Sequence, residues 1–252
     1  MNEIPATKDD APVRDIDADR QRTLIAYHEA AHAIIGLSAN YYPPIFVEIG
    51  PADRPDLAGV CRSVGRMWEM EQPWQQLEIG IAGYLTHVAG WLAEGVLLTK
   101  THWPDDEGWH WVDDVDCIDW EGFHHAHPDG DAMDADDMMA RVCNVLGINA
   151  PTHAMMREIQ AMAVNLVRYH WDAIEDLARA LDREGRVESL RQFVNAPRPG
   201  PAGFLCKRWC RRLGRARPEL RALADNWDDA PYRPWDWACQ KCNGPGRGGA
   251  QG

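Results

Sequence analysis

A chain of 252 residues with 45% hydrophobic and 26% charged positions carries enough apolar side chain for one large core or two modest ones. That composition excludes collagen-like, wholly disordered and disulfide-scaffold classes, and a formal net charge of −13 excludes a protein that coats nucleic acid with its whole surface. The charge is uneven: residues 201–252 hold ten Lys/Arg and five Asp/Glu, a net of +5 that leaves −18 for residues 1–200 and sets a basic C-terminal extension apart.

Residues 1–16 read as a flexible polar tail, acidic and without the positive start and apolar run of a secretory signal, which predicts a cytoplasmic protein. Seven cysteines, an odd count in that setting, fit reduced thiols or metal ligands better than disulfides. From Asp17 to Leu37 apolar residues recur at helical spacing, with Leu24, Ile25, Ala31, Ile34 and Ile35 on a buried stripe, and Gly36 with the Tyr41–Pro44 segment ends that helix. Ile45–Ile49 and Ala58–Val64 are short, rich in β-branched residues and separated by a turn-forming stretch, the pattern of a β-hairpin. A second helix is expected from about Trp74 to Leu98. Its apolar part, Ile79–Leu98, approaches membrane-spanning length, but His87, Glu94 and several glycines mark a buried core helix, so no membrane span is predicted.

Residues 100–131 form an acidic insertion rich in Trp and His. Between Thr101 and Ala140 lie thirteen Asp/Glu and five His with no Lys or Arg, too long and too acidic for an ordinary connection. As a charge run it reads first as a solvated surface segment; its His124, His125 and His127 are a weak metal signal. A third helix is expected from about Asp134 to Leu146 and a long helix or a broken pair from Pro151 to Glu184. The Pro- and Gly-rich Asn195–Gly203 stretch then leads into the extension, residues 196–252.

The chemistry concentrates in Tyr27-His28-Glu29-Ala30-Ala31-His32-Ala33, an H-E-x-x-H pattern inside the first helix. Positions four apart share a helix face, so the imidazoles of His28 and His32 can meet one Zn2+ ion. Glu29 then stands beside the metal without binding it, placed to act as general base toward a zinc-activated water.

Ala26–Gly36 reads A-Y-H-E-A-A-H-A-I-I-G, which resembles the peptidase domain of FtsH-type ATP-dependent zinc metalloproteases, where A-Y-H-E-A-G-H-A-I-x-G is characteristic. Phe46-Val47-Glu48-Ile49-Gly50-Pro51 followed by Leu57-Ala58-Gly59-Val60 is similar to the family hairpin. Gly90-Trp91-Leu92-Ala93-Glu94 is similar to its G-G-R-x-A-E-E helix, with Trp91 in place of the arginine and Gly95 in place of the second glutamate. The resemblance spans residues 20–185. It implies a mainly α, helical zincin-like metallopeptidase domain with a small β-hairpin over residues 17–195, acting as a zinc endopeptidase on polypeptides. It also implies a third ligand, an Asp at the start of a later helix with Ala four residues on. Asp136 with Ala140 fits that spacing, while Asp131, Asp134 and Asp137 compete for the role, and any of these acids can instead cap a helix N-terminus.

The family's ATPase module has no counterpart, since no G-x-x-x-x-G-K-[ST] occurs. Proteolysis is therefore expected to be ATP-independent, and any unfolding of substrates would need a separate ATPase or a homo-oligomeric assembly. In the extension, Cys206 and Cys210 with Cys239 and Cys242 form two close thiol pairs, the arrangement of a second, structural zinc. Lys207, Arg208, Arg211, Arg212, Arg215 and Arg217 would give that module a positive surface for nucleic acid, an acidic partner or the protein's own acidic insertion. The alternative to an enzyme is a non-catalytic, zinc-stabilised regulatory or interaction module; a base at Glu29 separates the two, because a scaffold gains little from it.

Overall fold

The structure is a computed structural model and describes residues 16–39, 44–53, 56–63, 73–102, 118–126 and 130–193. It is mainly helical with one small antiparallel sheet. Helix α1 (Ile16–Ala39) leads into β1 (Pro44–Ile49) and β2 (Gly59–Ser63), then α2 (Pro73–His102), α3 (Trp120–Ala126), α4 (Asp131–Leu146), α5 (His153–Tyr169) and α6 (Trp171–Glu184). The two-residue β3 (Arg186–Val187) and a 3-10 turn, Leu190–Phe193, close the described part of the chain.

Helix α1 occupies the middle. Ala26, Ala30, Ala31, Ala33, Ile34 and Ile35 are all buried, so the helix is enclosed along its C-terminal half rather than along one stripe. Small alanines let α2, α6 and the sheet approach it from different sides. Arg22 donates to Asp182 at 3.1 Å and the Tyr27 hydroxyl to Glu175 at 3.2 Å, fastening the solvent-side turns of α1 to α6.

The hairpin forms as its composition predicts, with Val47 opposite Cys61 and Ile49 opposite Gly59. Val187 of β3 pairs with Val47 on the other side of β1, giving the order β2-β1-β3. The third strand is too short to leave a periodic signal. It is held by Gly185, which caps α6 with a φ of 74° and accepts the Ile49 amide at 2.8 Å.

Helices α2 and α4 run antiparallel in close contact. A side chain at Gly80 would strike Val142, and one at Gly83 would strike Met138. This register carries the first turn of α4 to the level of Thr86 and His87 on α2. Helix α4 starts at Asp131, three residues before the expected Asp134 and at the expected end of the insertion. Part of that insertion is the helix α3: Trp91 of α2 packs with tilted rings at centroid distances of 5.5 Å against Trp120 and 5.6 Å against Phe123 of α3. Trp91 thus docks α3 onto α2. The 151–184 segment is a broken pair, interrupted at His170.

Among the described residues α2 alone is long and apolar enough to cross a membrane, over Ile79–Thr99, and most of that stretch is buried against the other helices. The expected N-terminal tail and the basic extension, with Cys206, Cys210, Cys239 and Cys242, lie outside the described residues, as does His127.

Candidate metal centre

Three helices bring the site together. His28 and His32 stand one turn apart on the enclosed part of α1, and both are buried. Asp131, the first residue of α4, places its Oδ2 2.8 Å from His28 Nε2 and 3.1 Å from His32 Nε2, and the two Nε2 atoms are 2.8 Å apart. The third member is therefore Asp131 and not Asp136. Five residues further along an α-helix turn the side chain by about 140°, and Asp136, 67% exposed, points away toward His124, 3.6 Å from its Nδ1. Asp134 and Asp137 are exposed as well. Asp131 with Ala135 satisfies the same Asp-to-Ala spacing that Asp136 and Ala140 do.

The remaining ring nitrogens show what the converging atoms are. His28 Nδ1 lies 2.8 Å from Glu94 Oε1 and His32 Nδ1 2.7 Å from the carbonyl of Thr86. Carboxylate and carbonyl oxygens only accept, so His32 Nδ1 carries its proton and donates to Thr86, and the Glu94 carboxylate at ion-pair distance favours the proton on Nδ1 of His28 as well. In neutral imidazoles this leaves the two Nε2 atoms as lone pairs facing a carboxylate oxygen. Three lone-pair atoms at such distances repel unless a cation lies among them. Metal bonds of about 2.0–2.1 Å at tetrahedral angles set donors about 3.3 Å apart, so the trio, at 2.8, 2.8 and 3.1 Å, stands within about half an ångström of a metal-binding spacing. His28, His32 and Asp131 can hold a metal ion.

The titration behaviour has the same origin. Burial opposes charge on His28, but hydrogen bonds to Asp131 and Glu94 outweigh it and push its pKa up to about 10. His32 is likewise raised, burial being overcome chiefly by the Asp131 charge. Asp131 resists burial through the His32 charge and the hydrogen bonds from His28, His32 and His87, which hold it well below the usual carboxylate range. Each shift reports demand for positive charge among these atoms. Protons on the rings meet that demand, and so would a divalent cation held by the neutral imidazoles.

Glu29 is buried beside the trio, with β2 against it. A Cβ at Gly59 would lie 2.6 Å from Glu29 Cγ and 2.7 Å from Oε1. Burial raises the Glu29 pKa despite the opposing charges of His32 and His28. The Cys61 thiol belongs to the same wall and is pushed well up by burial and then by the charges of Glu29 and Asp131. On α2 the close approach is at Gly90, where a Cβ would lie 2.8 Å from three atoms of the His28 ring.

Glu94, Thr86 and His87 were not expected as site residues from the motif alone. Their signal is a stripe: Gly83, His87, Gly90 and Glu94 recur at helical spacing along an otherwise apolar helix and line the side facing α1 and α4. Comparison with known protein families, with characterised proteins and with solved structures yields no match.

Proposed function

We propose that this chain is a zinc-dependent endopeptidase, similar in its peptidase chemistry to the FtsH-type metalloproteases, hydrolysing peptide bonds with Glu29 as general base. The observation that carries this reading is the position of Glu29. It is a buried carboxylate next to a two-histidine, one-aspartate donor set, yet it makes none of the trio's contacts. Two imidazoles and a carboxylate suit zinc, and three protein ligands are the number found in catalytic sites, whereas structural sites close with four. Among the described residues no fourth side chain joins the trio, which disfavours a purely scaffolding role.

When bound, the ion would lower the pKa of water in its open position and polarise the scissile carbonyl. Glu29 takes the proton released as the water oxygen bonds to the carbonyl carbon. It then delivers that proton to the amide nitrogen as the C–N bond breaks, so it ends the cycle ionised. His28 and His32 stay fixed by Glu94 and Thr86 throughout. Among the described residues β2 pairs only with β1, and Gly59 turns its face toward Glu29; an extended peptide would add as a further strand along the other edge of β2.

The test is hydrolysis of an unstructured polypeptide such as casein by the purified full chain, without ATP. Stripping with a chelator should abolish cleavage and added Zn2+ should restore it. Cleavage that survives removal of the metal, or metal-loaded protein that cleaves no peptide, overturns the reading.

A further inference from the structure

Asp131 has two oxygens, and only Oδ2 faces the histidine pair. Oδ1 lies 3.2 Å from Nδ1 of His87 on α2. Because a carboxylate only accepts, the His87 Nδ1–H donates. His87 is 25% exposed, more open than His28 or His32, and does not join the trio whose ligand atoms converge. The geometry therefore differs from that of a fourth ligand. His87 grips the oxygen that the metal would leave, from the face of α2 that also supplies Thr86 to His32 and Glu94 to His28.

We propose that His87 is a positioning residue that holds Asp131 as a one-oxygen metal ligand, completing a set in which each member of the trio is oriented by one group on α2. The argument is mechanical. Asp131 is the first residue of its helix, where the chain enters α4 from Gly130. A carboxylate with one oxygen unrestrained can rotate to bind through both oxygens or swing off, and either change fills or distorts the position that substrate and water need. A donor at Oδ1 removes both options. Outer partners of this kind contribute about 10–100-fold to metal affinity when lost.

This rests on the metal reading above, and the experiment separates the two. Co2+ serves as the probe, titrated into metal-free full-length protein and followed by its visible absorption, with far-UV circular dichroism and thermal melting as checks of folding. His87→Ala should bind Co2+ about 10–100-fold more weakly than wild type. Its absorption should be dimmer, because a second carboxylate oxygen raises the coordination number. His87→Asn should recover most of the affinity and the wild-type spectrum, since its amide nitrogen falls where Nδ1 was, whereas His87→Gln, with its amide one bond further out, should not. Wild-type affinity and spectrum in His87→Ala, or an Asn variant as weak as the Ala variant, overturns the role of His87 alone. If His87→Ala fails to fold, equal affinities of the Asn and Gln variants overturn it. Wild-type protein that binds no Co2+ overturns the metal site and this inference together.

Discussion

Asp131 Oδ2 meets His28 Nε2 at 2.8 Å across 103 residues of sequence, and this contact ties the first turn of α4 to the middle of α1. Asp131→Ala should therefore lower Zn2+ affinity by at least about 100-fold, more than loss of an outer partner costs. Asp136→Ala, at an exposed position, should leave affinity unchanged and stability within about 0.5 kcal/mol. Isothermal titration with Zn2+ on both variants decides it; sensitivity at Asp136 with indifference at Asp131 would place the donor set elsewhere.

Glu29→Gln keeps the shape of the buried side chain and removes its ability to take a proton. Zinc content and melting temperature should stay at wild-type values while peptide cleavage falls by about two to four orders of magnitude. Metal analysis beside a fluorogenic peptide assay reads both quantities. Equal turnover in the two proteins would remove Glu29 from the chemistry.

Most of α1 and the pairing of its two histidines was legible in the sequence, because the i, i+4 spacing of His28 and His32 and the apolar period around them are local facts. The third member of the group was not, since four aspartates lie within seven residues, from Asp131 to Asp137, and only the start of α4 distinguishes them. That start depends on how Met138 and Val142 seat over Gly83 and Gly80 of α2, a tertiary contact with no local signature. His87 and Glu94 were visible as polar interruptions of an apolar helix. Taken one at a time they argue only against a membrane span; taken at helical spacing with Gly83 and Gly90 they mark a face turned toward something polar. β3 escaped because two residues carry no period.

Two glycines allow a test of which group each wall of the site supports. Gly90→Ala would drive a methyl group into the His28 ring at 2.8 Å, and Gly59→Ala would drive one into Glu29 at 2.6 Å. Each should cost about 1–3 kcal/mol of stability by overpacking. The functional effects should divide. The Gly90 variant should lose Zn2+ affinity, whereas the Gly59 variant should keep its zinc and lose turnover. Metal content and kcat measured on both variants check this, and matching losses in the two would mean that the walls do not act separately.

His170 offers a test of stability remote from the metal. It is the single residue between α5 and α6, buried, with its amide bonded to Leu166 O at 3.0 Å and its Nε2 3.2 Å from Ser38 Oγ on α1. Burial lowers its pKa to about 4 from an ordinary value of 6.5. The folded state thus keeps the ring neutral in a range where the unfolded chain protonates it. Between those two values the unfolded state binds more protons, so stability falls as pH falls. From about pH 7.5 to about pH 5 the loss from this one group is about 2 kcal/mol. His170→Gln keeps a polar atom near Ser38 but does not titrate. Urea unfolding of both proteins at the two pH values isolates the contribution of His170, because His28 and His32 are common to both and cancel in the difference. The stability of wild type relative to His170→Gln should drop by about 2 kcal/mol on acidification. A difference that stays constant with pH would mean that His170 is as readily protonated in the folded protein as in the unfolded chain.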